Sequence, residues 1–376
     1  MARDVPEGLG LVGCGNIAQA YLGWIGESYP DRLRVVACTD ADPERARETA
    51  ARFGCEVVPN VAALLARDDL EIVLNLTNPA AHLEVTLAAL AAGKHVFSEK
   101  PLALTLEDAD RIVQAARMRG LLVACAPSIM LGAPQRTAWQ WIREGRLGTI
   151  HEVILAVTTP GHEAWHPDPR YYYQSGAGPL LDLGVYSLTL ATTILGAITH
   201  VWGQAGIAIP VRAIATGPRA GERFAVEVPD HVTGFMRFES GMTGTIHASF
   251  AVAKTTMPPV ELHGSDGSLW LDDFHRFDAT VRVCLRGEEE WRTVPPRDPQ
   301  AAPNWARAIV DLAEAAREGR RPRMAAEQAA HVLEVMLGIE QSAREGTREI
   351  AIARHFAPPP PLDEHDPKGD ADARHG

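Results

Sequence analysis

The sequence predicts an α/β chain in two parts: a doubly wound parallel sheet first, then an α/β domain on a large, mostly antiparallel open sheet. Three observations predict it. Short apolar runs alternate with helical stretches through the first ~125 residues. The first run ends on a small-residue turn, Gly13-Cys14-Gly15-Asn16-Ile17-Ala18, that opens a helix. From about residue 150 the pattern changes to β-rich runs crowded between turn signals such as Glu239-Ser240-Gly241 and Ser265-Asp266-Gly267.

Taken in order, residues 9–12 predict the first strand and 16–28 its helix. Strand 33–38 and helix 43–53 follow, then a short strand at 56–58. Asn60 is placed to cap a helix over 61–67. The continuous apolar run 70–76 suits a strand buried on both faces. A helix over 81–92 stops at Gly93. After the strand around Val96 and Phe97, Thr105 and Asp108 make a capping box for a helix to 119, and 121–125 closes the sheet. Ala126-Pro127 marks the expected boundary, giving a nucleotide-binding domain at 1–126 and a second domain at 127–356. In that second part, helices are expected at 135–144 and 179–195. Strands are expected at 150–158, 201–208, 231–239, 242–250, 260–264, 269–271 and 280–286. Residues 304–345 predict two amphipathic helices split near 319–322, and the proline-rich acidic tail 357–376 is expected to be disordered.

Bulk properties narrow the function. A chain of 376 residues suggests two domains, and 46% hydrophobic content supplies two cores. The net charge of −12 argues against nucleic acid, whose phosphates need a basic face. No apolar run is long enough to cross a membrane, and the start has no secretory pattern, so a cytoplasmic protein is expected. Cys14, Cys38, Cys55, Cys125 and Cys284 contain no C-x-x-C pair, so neither a metal site nor a disulfide framework is expected.

The turn at 13–18 fits G-x-G-x-x-A. Gly13 permits the tight turn, Gly15 lets the backbone approach a pyrophosphate, and Ala18 permits close helix packing. Asn16 and Ile17 open the helix whose N-terminus attracts the phosphates. Asp40, ending the second strand, stands where a ribose 2′-hydroxyl is held. Asp40 and Asp42 would repel a 2′-phosphate, which favours NAD; Arg45 leaves NADP open. Downstream, Glu99-Lys100-Pro101 closes a strand at the sheet end where ligands sit, so Lys100 can reach a substrate oxygen; the alternative is a surface lysine before a turn.

These residues resemble the Gfo/Idh/MocA family (glucose–fructose oxidoreductase, inositol dehydrogenase, rhizopine catabolism). The resemblance is carried by 13–18, Asp40, Thr77-Asn78-Pro79 with His82, Glu99-Lys100-Pro101, the stretch 176–186 containing Asp182 and Tyr186, and 263–269. It runs from about residue 8 to 353. It implies a Rossmann domain, NAD(P)-linked oxidation or reduction of sugars and polyols, and a homodimer or homotetramer formed through the C-terminal sheet. It further implies that Thr77, Asn78, Pro79 and His82 line the cofactor, that Glu99 lies near the nicotinamide ribose, and that Lys100 is the catalytic lysine.

One position departs from the family. Its motif runs Asp-x-x-x-His, whereas here Asp182 is followed by Tyr186. Helical spacing keeps the two on one face. A tyrosine is mostly in the wrong form to act as a base at neutral pH, yet it is a competent proton donor. That tilts the expectation toward carbonyl reduction, or a reversible reaction in which Lys100 and Tyr186 share the proton, with Lys100, Asp182 and Tyr186 catalytic. The alternative for Tyr186 is an aromatic wall, with His166 or His162 supplying the proton. Trp165 and His166, followed by Tyr171-Tyr172-Tyr173, suit a polyhydroxylated ring and are expected to bind substrate with Lys100, Asp182 and Tyr186. Two rival readings remain open: a glycoside hydrolase using transient oxidation by NAD, and a non-catalytic nucleotide sensor.

Overall fold

The computed structural model describes residues 6–296 and 304–359; of the expected tail 357–376, residues 360–376 lie outside the described residues. The N-terminal part forms β1 (Glu7–Val12), α1 (Asn16–Ser28), β2 (Leu33–Thr39), α2 (Pro43–Phe53), β3 (Glu56–Val57), α3 (Val61–Leu65), β4 (Ile72–Asn75), α4 (His82–Ala91), β5 (His95–Ser98), α5 (Leu106–Arg119) and β6 (Val123–Cys125). The strands make one parallel sheet in the order β3-β2-β1-β4-β5-β6. This order reverses direction between β1 and β4, and ligands of doubly wound sheets bind beyond the strand ends at such a crevice.

Local chemistry explains where these elements start and stop. Asn60 Oδ1 accepts the Ala63 N–H at 2.9 Å, and Thr105 Oγ1 accepts the Asp108 N–H at 3.1 Å, so both expected caps form. Gly93 adopts φ +77°, the left-handed geometry that ends a helix. β1 and β4 are buried along their whole length, as the continuous apolar runs require.

The second part contributes α6 (Ala133–Arg143), β7 (Ile150–Thr158), α7 (Val185–Leu195), β8 (Ile198–Gly206), β9 (Val211–Ala213), β10 (Arg223–Ala225), β11 (His231–Phe238), β12 (Thr243–Ser249), β13 (Val260–Gly264), β14 (Gly267–Leu271), β15 (Val281–Leu285), β16 (Arg292–Val294), α8 (Arg307–Glu318), α9 (Ala326–Arg344) and β17 (Ile350–Ala351). Nine strands form an open sheet ordered β16-β15-β14-β13-β7-β12-β11-β8-β17. All pairs are antiparallel except β7 with β12, which run parallel. A long excursion separates those two strands, which is what parallel pairing demands.

Three features of the second part differ from the sequence expectation. The helix expected over 179–195 begins as a π-helical turn, Leu180–Gly184, before α7. The strand expected at 201–208 instead begins at Ile198. The short strands β9, β10, β16 and β17 were not anticipated, being too brief to show a period. Among the described residues no helix is long and apolar enough to cross a membrane.

Candidate active site

The turn between β1 and α1 is built as its glycines suggest. Gly13 has φ +93°, and a Cβ there would lie 2.6 Å from the Leu76 carbonyl oxygen. Gly15 caps α1, and a Cβ added to it meets nothing within 4 Å, so open space lies over the helix N-terminus. Ala18 is fully buried against the sheet, while Asn16 and Ile17 lie exposed on the first turn. Asp40 Oδ2 accepts the Cys14 N–H and Oδ1 accepts the Asp42 N–H, both at 2.7 Å. Each oxygen keeps a lone pair for a further donor. The residues therefore fit a dinucleotide: a free helix N-terminus for phosphate and a fixed carboxylate for ribose hydroxyls. Arg45 lies 3.4 Å from Asp42, an exposed ion pair.

The second cofactor segment divides in two. Thr77 Oγ1 donates to Asn75 Oδ1 at 2.7 Å, and Asn78 and Pro79 lie exposed. His82, expected to line the cofactor, is fully buried. Its Nδ1 lies 2.7 Å from the Pro101 carbonyl and its Nε2 lies 3.1 Å from the Thr77 carbonyl. It therefore braces the 77–79 loop against the 99–101 turn from beneath, and both ring nitrogens are occupied by backbone.

At the end of β5, Glu99 is held from two sides. Its Oε1 accepts the Tyr21 hydroxyl of α1 at 2.9 Å and its Oε2 accepts the Lys100 N–H at 3.0 Å. Lys100 Nζ donates to Asp182 Oδ1 at 2.8 Å and to the Asp182 carbonyl at 3.0 Å, and it lies 5.5 Å over the Tyr186 ring. Lys100, Asp182 and Tyr186 thus converge, as the sequence reading expected, with Asp182 set on the π-helical turn. Such turns often mark functional positions because they re-aim one side chain without breaking the helix.

The electrostatics follow from burial and these partners. Burial would disfavour the Lys100 ammonium, but Asp182, then Tyr186 and Glu99, hold its pKa above the ordinary value. Burial likewise opposes the Asp182 carboxylate, yet Lys100 and His162 lower its pKa to about 2. For Tyr186 burial prevails over Lys100 and pushes the phenol up to about 12. Tyr186 is therefore protonated across the neutral range.

The loop after β7 sets two histidines in different surroundings. His162, named in the sequence only as a fallback, places Nε2 2.8 Å from Asp182 Oδ2. His166, the histidine expected to bind substrate, instead accepts the Asp168 N–H on Nδ1 at 3.1 Å and packs among Trp165, Tyr171 and Tyr172. Its Nδ1 and ring faces thus shape the loop, and the ring stays partly exposed. Trp165 is 60% exposed beside His162, and Tyr171 is also exposed. The sequence gives no sign of Tyr21, Glu163, Arg212 and Asp230, and it shows Tyr173 only as part of an aromatic run. No local motif marks them; only the fold brings them together.

Residues 8–126 match the oxidoreductase family with an NAD-binding Rossmann fold, and residues 135–270 match the GFO/IDH/MocA C-terminal domain. The chain belongs to the Gfo/Idh/MocA family. It is thus an NAD(P)-dependent oxidoreductase by family, with an NAD-binding N-terminal domain. It is 33% identical over 264 residues to the 1,5-anhydro-D-fructose reductase of Ensifer adhaerens, covering 69% of this chain and 74% of that one. It is 30% identical over 313 residues to the dTDP-3,4-didehydro-2,6-dideoxy-alpha-D-glucose 3-reductase of Streptomyces violaceoruber, covering 82% and 85%. In fold it matches apo levoglucosan dehydrogenase with a TM-score of 0.80 at 22% identity, over 94% of this chain and all of that one. Among the described residues of this Gfo/Idh/MocA chain, no group of three or more His, Cys, Asp or Glu could hold a metal ion.

Proposed function

We propose that this enzyme interconverts an alcohol and a carbonyl on a sugar, sugar derivative or polyol, and that it is built to reduce the carbonyl. The observation carrying this reading is the Lys100 ammonium, fixed between the Asp182 carboxylate and the Tyr186 ring at the carboxyl end of β5. Bound nicotinamide supplies or accepts the hydride. Lys100 has three N–H donors, and two are spent on Asp182. The third is available to a substrate oxygen, where a fixed charge stabilises a developing alkoxide. Tyr186, protonated at working pH, delivers the proton; as a base it would begin in the wrong form. Asp182 orients Lys100. Trp165 and Tyr171 offer exposed aromatic faces on which the apolar side of a sugar ring can stack.

Two features refine the reading. Asp40 favours NAD over its 2′-phosphorylated form, and Arg45 already faces Asp42. The open face of the nine-stranded sheet, which exposes Phe235, suits a homodimer or homotetramer. Both curated relatives described above carry the name of a reductase, which agrees with a proton-donating Tyr186.

The test is a turnover screen of sugars and polyols with NAD and NADP in both directions, run on wild type, Lys100→Met and Tyr186→Phe. We expect both variants to lose about 10²–10⁴ in kcat while NAD affinity stays within a few-fold. Loss of cofactor binding in Lys100→Met would remove Lys100 from catalysis. Full activity in Tyr186→Phe would make that ring a wall. Sugar product without net NADH would point to the hydrolytic reaction instead.

A further inference from the structure

We infer that His162 is a positioning residue for the reaction: it fixes the Asp182 carboxylate so that Lys100 is held in one place, and a buried scaffold from the β9–β10 arm holds His162 itself. The inference rests on the reading of Lys100 given above.

Asp182 spends one oxygen on each neighbour, Oδ1 on Lys100 and Oδ2 on His162, both at 2.8 Å. An ionised carboxylate only accepts, so His162 must donate from Nε2. Its Nδ1 is buried and has no hydrogen-bond partner. A proton there would be an orphaned donor, which carries the desolvation penalty of an unmade bond. With the proton on Nε2, Asp182 is the single polar partner of the ring among the described residues. At 5% exposure His162 is unlike a solvated loop histidine. Its ring is wedged between Tyr172, 3.8 Å away edge-on, and Phe250, at 4.5 Å, so it cannot turn freely.

The backbone of His162 is anchored as well. Its N–H donates to the Tyr173 hydroxyl at 3.0 Å, and that hydroxyl donates to Glu163. Arg212, on β9, pairs with Glu163 through Nη1 and with Asp230 at 2.6 Å through Nη2. The Ala215 N–H donates to the Glu163 carbonyl at 2.9 Å and the Glu227 N–H to the Tyr173 carbonyl at 2.9 Å. The excursion between β8 and β11 thus clamps the loop that carries His162. Without a donor at Oδ2 the carboxylate can rotate, and Lys100 loses a fixed counter-ion; displacements near 1 Å are costly in catalysis.

The experiment compares His162→Leu, which removes the donor, with His162→Gln, whose amide N–H reaches about as far as Nε2. Two readouts are taken: steady-state kinetics, and the rate at which an amine-reactive sulfonate modifies Lys100, followed by peptide mass spectrometry. The lysines of the chain are Lys94, Lys100, Lys254 and Lys368, so the Lys100 peptide is unambiguous. Lys94, bonded to the Arg67 and Leu70 carbonyls, is the internal control. We expect His162→Leu to lose about 10–100-fold in kcat with KM for NADH within twofold. Lys100 should be modified several-fold faster while Lys94 is unchanged, and His162→Gln should restore both values to within a few-fold of wild type. The inference is overturned if His162→Leu leaves both readouts within twofold of wild type, or if a folded His162→Gln is as defective as His162→Leu. If wild type turns over no sugar or polyol, the functional reading fails, and the Lys100 modification rate still decides the role of His162.

Discussion

At the scale of single residues, the site is a balance between burial and paired charge, and its pH dependence has a definite sign. Asp182 has its pKa lowered to about 2, below the ~3.9 of a free aspartate. The fold therefore favours its ionised form. That contribution to stability is complete above about pH 4 and is lost as pH falls through about 2. Lys100 shows the same attraction from the other side: its raised pKa makes the contribution complete below about pH 10 and lost above the folded value. The pair is one interaction and counts once. Asp182→Ala, which strands a buried ammonium, should cost on the order of 3–5 kcal/mol at neutral pH. The deficit against wild type should shrink between about pH 4 and pH 2. Urea midpoints across that range check this, and a deficit constant with pH would mean that Asp182 acts by shape alone. Asp182 and Tyr186 were legible through the resemblance of 176–186 to the family's Asp-x-x-x-His motif, with Tyr at the place of the histidine. His162 was not, because a loop histidine has no period to read, and its meeting with Asp182 depends on how that loop is clamped.

At the scale of elements, the two glycines of the nucleotide turn should separate stability from affinity. Gly13→Ala forces a left-handed residue and a 2.6 Å contact with the Leu76 carbonyl, so the fold must shift. Gly15 has φ −72° and open space around its missing Cβ. Gly15→Ala should therefore leave the melting temperature within about a degree and weaken NAD by tenfold or more, by filling the space the pyrophosphate needs. Gly13→Ala should lower both. Equal loss of stability in the two variants would refute the distinction, and calorimetry with a cofactor titration reads it. The same turn shows why the N-terminal sheet was legible. Apolar runs, caps at Asn60 and Thr105, and the stop at Gly93 each act within a few residues. β9 and β10 were not: they are three residues each, and they persist because Phe224 and Val226 bury against Tyr173 and Phe250. Their stability comes from contacts distant in sequence. The π-helical turn at Asp182 was hidden for a related reason, since its sequence reads as ordinary helix.

At the scale of the whole molecule, the two sheets are joined by more than the chain crossing at residue 126. Helices α8 and α9 return to the first sheet: the Cys125 N–H donates to the Met324 carbonyl at 2.8 Å, and Ala124 bridges to Ala325. α9 also lies directly on β8, where a Cβ on Gly203 would meet the Ile339 carbonyl oxygen at 2.1 Å and the Gly203 N–H donates to Ser342 Oγ at 2.9 Å. One helix thus packs on both sheets, and the cleft holding Lys100 from the first and Asp182 from the second depends on that latch. The connection between α8 and α9 is fixed by Asp311, almost wholly buried, which accepts the Arg323 N–H at 2.6 Å and faces the guanidinium groups of Arg323 and Arg320. Asp311→Ala removes the charge that gathers these groups. We expect a loss of about 1–3 kcal/mol, because the buried Arg323 N–H loses its acceptor while Arg320 keeps Glu314 and Glu318. Asp311 touches none of the residues around Lys100, so kcat of the remaining folded enzyme should stay within about twofold. Chemical denaturation and kinetics on the same preparation separate the two effects. A stable Asp311→Ala protein with depressed kcat would show instead that the latch governs the cleft geometry rather than the cohesion of the fold.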